Sequence, residues 1–145
     1  MLRNRRARYD YELLETFEAG LVLTGSEVKS LRQGGGSLAE AYARRQRGEL
    51  FLEGLNIPTY REASYNNHEP KRPRKLLLKR QELREIARAL ERRGLTVIPT
   101  KLYFKGGWAK VELALARGRK YHDKRQQQAK RDAQRQMDRY LKGSS

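Results

Sequence analysis

Gly106-Gly107 separates two runs that read as paired strands, and this constrains the chain more than any other feature. Residues 95–105 lie before it and 108–117 after it. Val111, Leu113 and Leu115 alternate with Lys110, Glu112 and Ala114, so one face is buried. A Gly-Gly turn supplies the positive φ that both central positions of a tight hairpin require. Pro99 cannot donate to a ladder, so a bulge or a sheet edge is expected there.

Other strand signals are shorter. Tyr9, Tyr11 and Leu13 begin one and Phe17 follows after a break. Gly20 then precedes Leu21-Val22-Leu23, which continues or restarts it. Residues 38–45 and 49–57 read as two strands joined by Gln46-Arg47-Gly48, and Pro58 ends the second. Residues 59–74 are polar, with Asn66-Asn67, Pro70 and Pro73, and read as a surface loop.

Two helices are legible in the body of the chain. Thr24-Gly25-Ser26-Glu27 has capping-box spacing, flanked by Leu23 and Val28, and Gly34-Gly35-Gly36 stops that helix within about three turns. Leu83, Ile86, Ala87 and Leu90 recur at i, i+3, i+4, i+7 and predict a helix over 80–93, with Gly94 placed as its C′ residue. Five or six short antiparallel strands with few helices suggest a small closed or partly open barrel. The expected class is mainly β: an OB-like antiparallel barrel with two or three helices and a basic C-terminal tail.

Charge defines the partner. Of 145 residues, 33 are Lys or Arg and 17 are Asp or Glu, for a formal charge of +16. Such an excess attracts polyanions, nucleic acid first and an anionic membrane surface second. No long apolar run or signal-like start occurs, and there is no Cys, so a cytoplasmic protein without disulfides or thiolate metal sites is expected.

The charge is concentrated at both ends. Arg3, Arg5, Arg6 and Arg8 form a basic arm. Residues 117–145 hold ten cations and three acids, a net +7 with few apolar groups. Ala129, Ala133, Met137 and Leu141 make a thin stripe at i+4 spacing. Such a tail is marginal as an isolated helix and is expected to be disordered alone and helical against RNA phosphates. Two units follow: a body over 1–122 and a tail over 123–145.

No enzymatic constellation is present. His68 and His122 both sit in polar stretches and read as solvated side chains. No phosphate-binding Walker loop, metalloprotease helix or nucleophile elbow occurs. Basic groups interleaved with aromatic rings are the positive signal, since phosphates supply affinity and unstacked bases find rings. Tyr9 and Tyr11 follow the arm, although either can instead pack the core. Arg72, Arg74, Lys75, Lys79 and Arg80 flank Leu76-Leu77-Leu78, which reads equally as an RNA-facing cluster or a solvated helix start. Trp108 is read as packing rather than stacking.

The sequence also resembles a known family. Asn4-Arg5-Arg6-Ala7-Arg8-Tyr9-Asp10-Tyr11, Glu15-Thr16-Phe17-Glu18-Ala19-Gly20 and Leu23 to Arg32 are similar to successive blocks of the SsrA-binding, or small protein B, family. Pro70 to Leu78, Leu102 to Lys105, Lys110 to Gly118 and His122-Asp123-Lys124-Arg125 follow in family order. The resemblance implies an oligonucleotide-binding-type barrel that binds the tRNA-like part of transfer-messenger RNA. It implies delivery, with elongation factor Tu in the complex, to stalled ribosomes, where the tail enters the empty messenger channel. It implies no catalysis, no cofactor, no metal and no membrane partner, and a monomer.

By the same resemblance, Asn4, Arg5, Arg6, Tyr9, Tyr11, Glu18, Arg32, Leu77, Lys79 and Lys110 face RNA. Tyr9 would stack on a base, Arg32 and Lys110 would meet phosphates, Glu18 would accept from a base edge or 2′-OH, and Leu77 would give an apolar contact. Gly118, Lys120, His122, Asp123, Lys124 and Arg125 would engage the ribosome. Tyr9 stands where the family usually has His, which keeps stacking and loses a charged contact. Rival readings are a structural ribosomal protein, a general RNA-binding protein, or a small ribonuclease using Glu18 and Glu27. Capping already gives Glu27 a structural role.

Overall fold

The computed structural model describes the backbone of residues 1–60, 67–119 and 121–143, and side chains within these except at 121–127 and 140–143. Seven strands and four helices follow in the order β1 (Leu2–Arg3), α1 (Ala7–Asp10), β2 (Tyr11–Leu21), α2 (Gly25–Arg32), β3 (Tyr42–Gln46), β4 (Glu49–Glu53), β5 (Arg74–Leu77), α3 (Arg80–Leu90), β6 (Leu95–Lys105), β7 (Trp108–Gly118) and α4 (Tyr121–Gly143). All described pairings are antiparallel, in one sheet of order β1-β6-β7-β2-β5-β4-β3. The described ladders leave this sheet open between β1 and β3, so they do not by themselves close the expected barrel. The strands β3 and β6 approach each other, but no described ladder joins them. Among the described residues the helices number four, not two or three, because residues within the basic arm form α1 and the tail forms α4.

Long alternating strands set the core. Phe17, Ala19 and Leu21 of β2 face inward beside Val111, Leu113 and Leu115 of β7, with Phe17 opposite Leu113 and Ala19 opposite Val111. Ile86 and Ala89 of α3 and Leu31 of α2 join the same core. Burying a side chain such as Leu113 contributes about 1.5–3 kcal/mol.

Two bulges then reverse which side chains face in. The register shifts between Leu13 and Glu15 on β2, and between Pro99 and Lys101 on β6. Beyond them Tyr11, Leu13, Ile98 and Ala116 lie on the outer face, under Ala7 of α1. The break before Phe17 and the breaker Pro99 are thus the two bulges. Between them they divide the outer face into a covered end and an open end.

The Gly106-Gly107 turn has φ of 58° and 82°, and Arg47-Gly48 repeats that geometry at 52° and 77° between Gln46 and Glu49. The predicted strand over 49–57 ends at Glu53, because Gly54 (φ 77°) turns the chain where a Cβ would come within 2.4 Å of the Glu40 carbonyl oxygen. The predicted strand over 38–45 shrinks to Tyr42–Gln46, with Ser37 and Asn56 making one isolated bridge. The predicted helix over 80–93 ends at Leu90, so Gly94 (φ 83°) belongs to the following turn and not to the cap.

Two expectations in the middle of the chain are corrected. Arg74 is not part of a solvated cluster: it opens β5 and is fully buried. His68 is not solvated either, since Ser26 Oγ lies 2.9 Å from its Nδ1 and the Ile57 carbonyl 2.8 Å from its Nε2. In both cases the polar loop folds back on α2, and hydrogen bonds replace the lost water.

Candidate nucleic-acid interface

The open end of the outer face carries a row of side chains across four strands. In register, Leu77 of β5 stands beside Gly20 of β2, Gly20 beside Lys110 of β7, and Lys110 beside Tyr103 of β6. Glu18, Glu112 and Lys101 form the next row. The absence of a side chain at Gly20 keeps this row shallow, and a Cβ there would touch Leu77 Cβ at 3.3 Å. Leu77 remains 51% exposed, so its apolar surface is offered to solvent and not to the core.

Glu18 and Tyr103 are coupled. The Tyr103 hydroxyl donates to the Glu18 carboxylate, and Lys105 Nζ lies 3.7 Å from it. The phenol hydrogen bond holds the Glu18 carboxyl below its ordinary range, against desolvation, with Lys105 and Lys110 adding to the lowering. Desolvation, reinforced by Glu18 and then Glu112, raises the Tyr103 phenol to about 12. The pair therefore offers an anionic acceptor at any pH near neutrality, held in place by a ring. Lys101 and Glu112 pair at 3.1 Å along the same face.

The arm is bound to this face. Leu2 and Arg3 pair with Leu102 and Lys101, the Asn4 amide donates to the Thr100 carbonyl at 2.8 Å, and Asn4 Nδ2 donates to the Pro99 carbonyl at 3.0 Å. Asn4 thus fastens the arm to the β6 bulge. A groove of about 600 Å³ runs between arm and sheet, lined by Arg3, Arg5, Arg8, Leu14, Thr100 and Lys101 among others. Arg6 lies 5.1 Å from the Tyr9 ring centroid and 3.6 Å from Asp10. Tyr11 packs half-buried with the small outer cluster, which is the core role its position allowed.

The structure thus brings Asn4, Arg5, Glu18, Leu77 and Lys110 onto one side of the sheet. It does not bring Arg32 there: its guanidinium covers the Phe104 ring at 4.8 Å, behind the β6 edge. Lys79 stands at the N-cap of α3 and Gly118 at the end of β7, beside Tyr11. Lys120 lies outside the described residues. His122, Asp123, Lys124 and Arg125 belong to the first turns of α4, and their side chains lie outside the described ones.

Trp108 corrects the sequence reading. It does not pack: at 73% exposure it is the most open ring among the described residues, on the outer face with Lys110 and opposite Lys105. The signal that could have found it was period two, since Trp108 shares the parity of Lys110 and Glu112 and not that of Val111. Tyr103 was also missed, because nothing local pairs it with Glu18, 85 residues away.

Glu27 is unsuited to catalysis. Its carboxylate completes the α2 capping box, accepting from the Thr24 amide at 2.8 Å, and also accepts from Arg72 Nη2 at 2.6 Å and from Arg74 Nε. Burial pushes its carboxyl up, and the hydrogen bonds from Arg72, Thr24 and Arg74 outweigh that, leaving it below the usual range. No group of three or more His, Cys, Asp or Glu capable of holding a metal occurs among the described residues. No helix among them is long and apolar enough to cross a membrane.

Comparison with known proteins identifies the family. The family model described as SmpB protein matches residues 1–143. The SsrA-binding protein of Deinococcus radiodurans is 58% identical over 134 residues, covering 92% of this chain and 94% of that one. The SsrA-binding protein of Salinispora arenicola is 54% identical over 136 residues, covering 94% and 86%. A solved structure presented as "tmRNA-SmpB: a journey to the center of the bacterial ribosome" superposes with a TM-score of 0.70 at 53% identity, covering 82% of this chain and 84% of that one. With a match spanning nearly its whole length and relatives above half identity, the chain belongs to the SmpB, or SsrA-binding, protein family.

Proposed function

We propose that this protein binds the tRNA-like domain of transfer-messenger RNA and delivers it to stalled ribosomes for rescue and tagging of nascent chains. The observation that carries the reading is the outer sheet face of a chain in this family: an apolar contact at Leu77, a fixed anion at Glu18, a cation at Lys110 and an open ring at Trp108. Stacking, 2′-OH acceptance and phosphate contact are the three interactions that unpaired RNA loops demand. In this reading Asn4, Arg5, Arg6, Tyr9 and Tyr11 extend the face along the arm. Arg32 and Lys79 contact RNA only where it wraps the sheet edge. The approach of β3 to β6 supports an OB-like barrel whose last seam is packed and not laddered. The protein acts without catalysis or cofactor, as a cytoplasmic monomer, with elongation factor Tu in the delivery complex.

The tail over 123–145 is the ribosome-engaging part, together with Gly118 and Lys120. Among its described side chains the helix α4 exposes Lys130 and, along one i+4 line, Arg131, Arg135 and Arg139, so phosphates lying along that side can stabilise it. It enters the empty messenger channel as that helix and loses it when unmatched.

The test is competition at a salt near 150 mM, where the Debye length is about 8 Å and generic attraction is curtailed. Labelled tRNA-like fragment competes against ordinary tRNA and an unrelated hairpin. Strong preference for the fragment is expected. Equal binding to all three would sink the adaptor reading and favour a structural ribosomal protein.

A further inference from the structure

We propose that Arg74 is a positioning residue: through its buried ion pair with Glu27 it pins the register of β5, so that Lys75 and Leu77 face outward and not Leu76 and Leu78. The consequence for RNA rests on the outer-face reading given above. The register itself does not.

The strand needs a pin because its sequence is ambiguous. Leu76-Leu77-Leu78 has no alternation, so the pattern does not say which leucine points inward. The ladder is short as well: β5 meets β2 at two pairs, Gly20 with Leu77 and Leu21 with Leu76, and β4 at three. A slip of one residue would put Leu77 in the buried seat of Leu76 and Leu78 in the outer seat of Leu77. It would give up only the half-buried packing of Leu78 and would draw one residue from the link Leu78-Lys79 to α3. It would also bring Lys75 to the seat of Arg74, so a cation would still meet Glu27. A slip in the other direction puts Lys75 in the apolar seat of Leu76 and is closed by desolvation.

The shape of the cation separates the two registers. Arg74 is fully buried and spreads its fork in three directions. Its Nε donates to the Glu27 carboxylate, its Nη1 to the Leu55 carbonyl at 2.6 Å and its Nη2 to the Pro70 carbonyl at 3.0 Å. No buried side-chain nitrogen or oxygen lacks a partner among the described residues. An ammonium gathers its donors on one atom, so Lys75 in that seat would give up at least one of these bonds. On the outer face Lys75 keeps an exposed contact with Glu49 at 3.1 Å. Fixing registry is the best-attested use of a buried ion pair, whose net contribution to stability is small once desolvation is counted.

Cross-linking reads the register directly. The chain has no Cys, so introduced thiols report alone. A Cβ at Gly20 would stand 3.3 Å from Leu77 Cβ, within reach of a disulfide. With Arg74 in place, G20C/L77C should close in oxidised glutathione at least about tenfold faster than G20C/L78C. Adding R74K should speed the G20C/L78C pair at least about tenfold. Adding R74K/K75R, which preserves composition and charge, should reverse the order of the two pairs. Circular dichroism melts establish which variants fold. Without cysteines, R74K/K75R should bind the tRNA-like fragment at least about fivefold more weakly, since the cation beside Leu77 is displaced. The pin is overturned if the folded swap still favours G20C/L77C, if R74K leaves G20C/L78C unmoved, or if neither variant melts cooperatively, which would confine Arg74 to the core. Unchanged fragment affinity in a slipped protein would overturn the RNA consequence alone.

Discussion

Glu27 is the residue on which the middle of the molecule depends. It caps α2 and neutralises Arg74, whose remaining nitrogens donate to the Leu55 carbonyl at 2.6 Å and the Pro70 carbonyl at 3.0 Å. Glu27→Gln leaves a buried guanidinium without its counter-charge and should cost about 3–5 kcal/mol in urea unfolding. The pH dependence follows from the lowered carboxyl. Its contribution is complete above the ordinary value of 4.5 and is lost as pH falls through the lower folded value, so wild type should lose stability in acid more steeply than E27Q. A second expectation concerns the outer face: ultraviolet titration of Tyr103→Phe should lack the phenol that ionises near 12 in wild type, and the Glu18 carboxyl should rise toward its ordinary range. A high-pH titration curve identical in both proteins would remove the Tyr103–Glu18 bond. The capping half of Glu27's role was legible because its partners lie three residues away. The ionic half was not, because Arg72 and Arg74 lie 45 and 47 residues off and look like any basic cluster.

The β6–β7 hairpin shows what period and turn chemistry can deliver. Gly-Gly and the alternation after it were enough to place the turn and the buried face, while Pro99 left a bulge or an edge open and the register shift beside it decides for the bulge. Four-residue β5 was invisible, since Arg74-Lys75-Leu76-Leu77 is too short for a period and borders a helix start. The element also carries the sharpest test of the interface. Trp108→Ala should leave thermal stability within about 0.5 kcal/mol of wild type, as befits an exposed side chain, and cost about 1–3 kcal/mol in RNA affinity if the ring stacks on a base. Loss of stability without loss of affinity would return Trp108 to a packing role. Gly54→Ala makes the opposite prediction. The collision with the Glu40 carbonyl and the positive φ should lower the melting midpoint, with RNA affinity below the transition unchanged.

The proposed division of roles follows the change of composition near residue 122. Deleting residues 123–145 should leave most fragment binding intact and abolish tagging on stalled ribosomes; tagging that survives would end the two-role scheme. The net +16 was sufficient to indicate a polyanion, and the order of motifs to indicate which one, but neither located the charges in space. How far the sheet curls was beyond reach for a related reason, since the approach of β3 to β6 depends on the bulges of distant strands and not on any local pattern. One joint remains to be considered. The Arg119 amide donates to the Asp10 carbonyl at 2.9 Å and its Nε to the Arg8 carbonyl at 3.1 Å, just before α4 begins. Tension on the tail is therefore delivered to α1 as well as to the end of β7. The arm is gripped along β6 by Asn4 and β1, so a pull loads several bonds in parallel instead of peeling β7 one bond at a time. A load on α4 would thus be shared between the end of β7 and the segment that leads into α1.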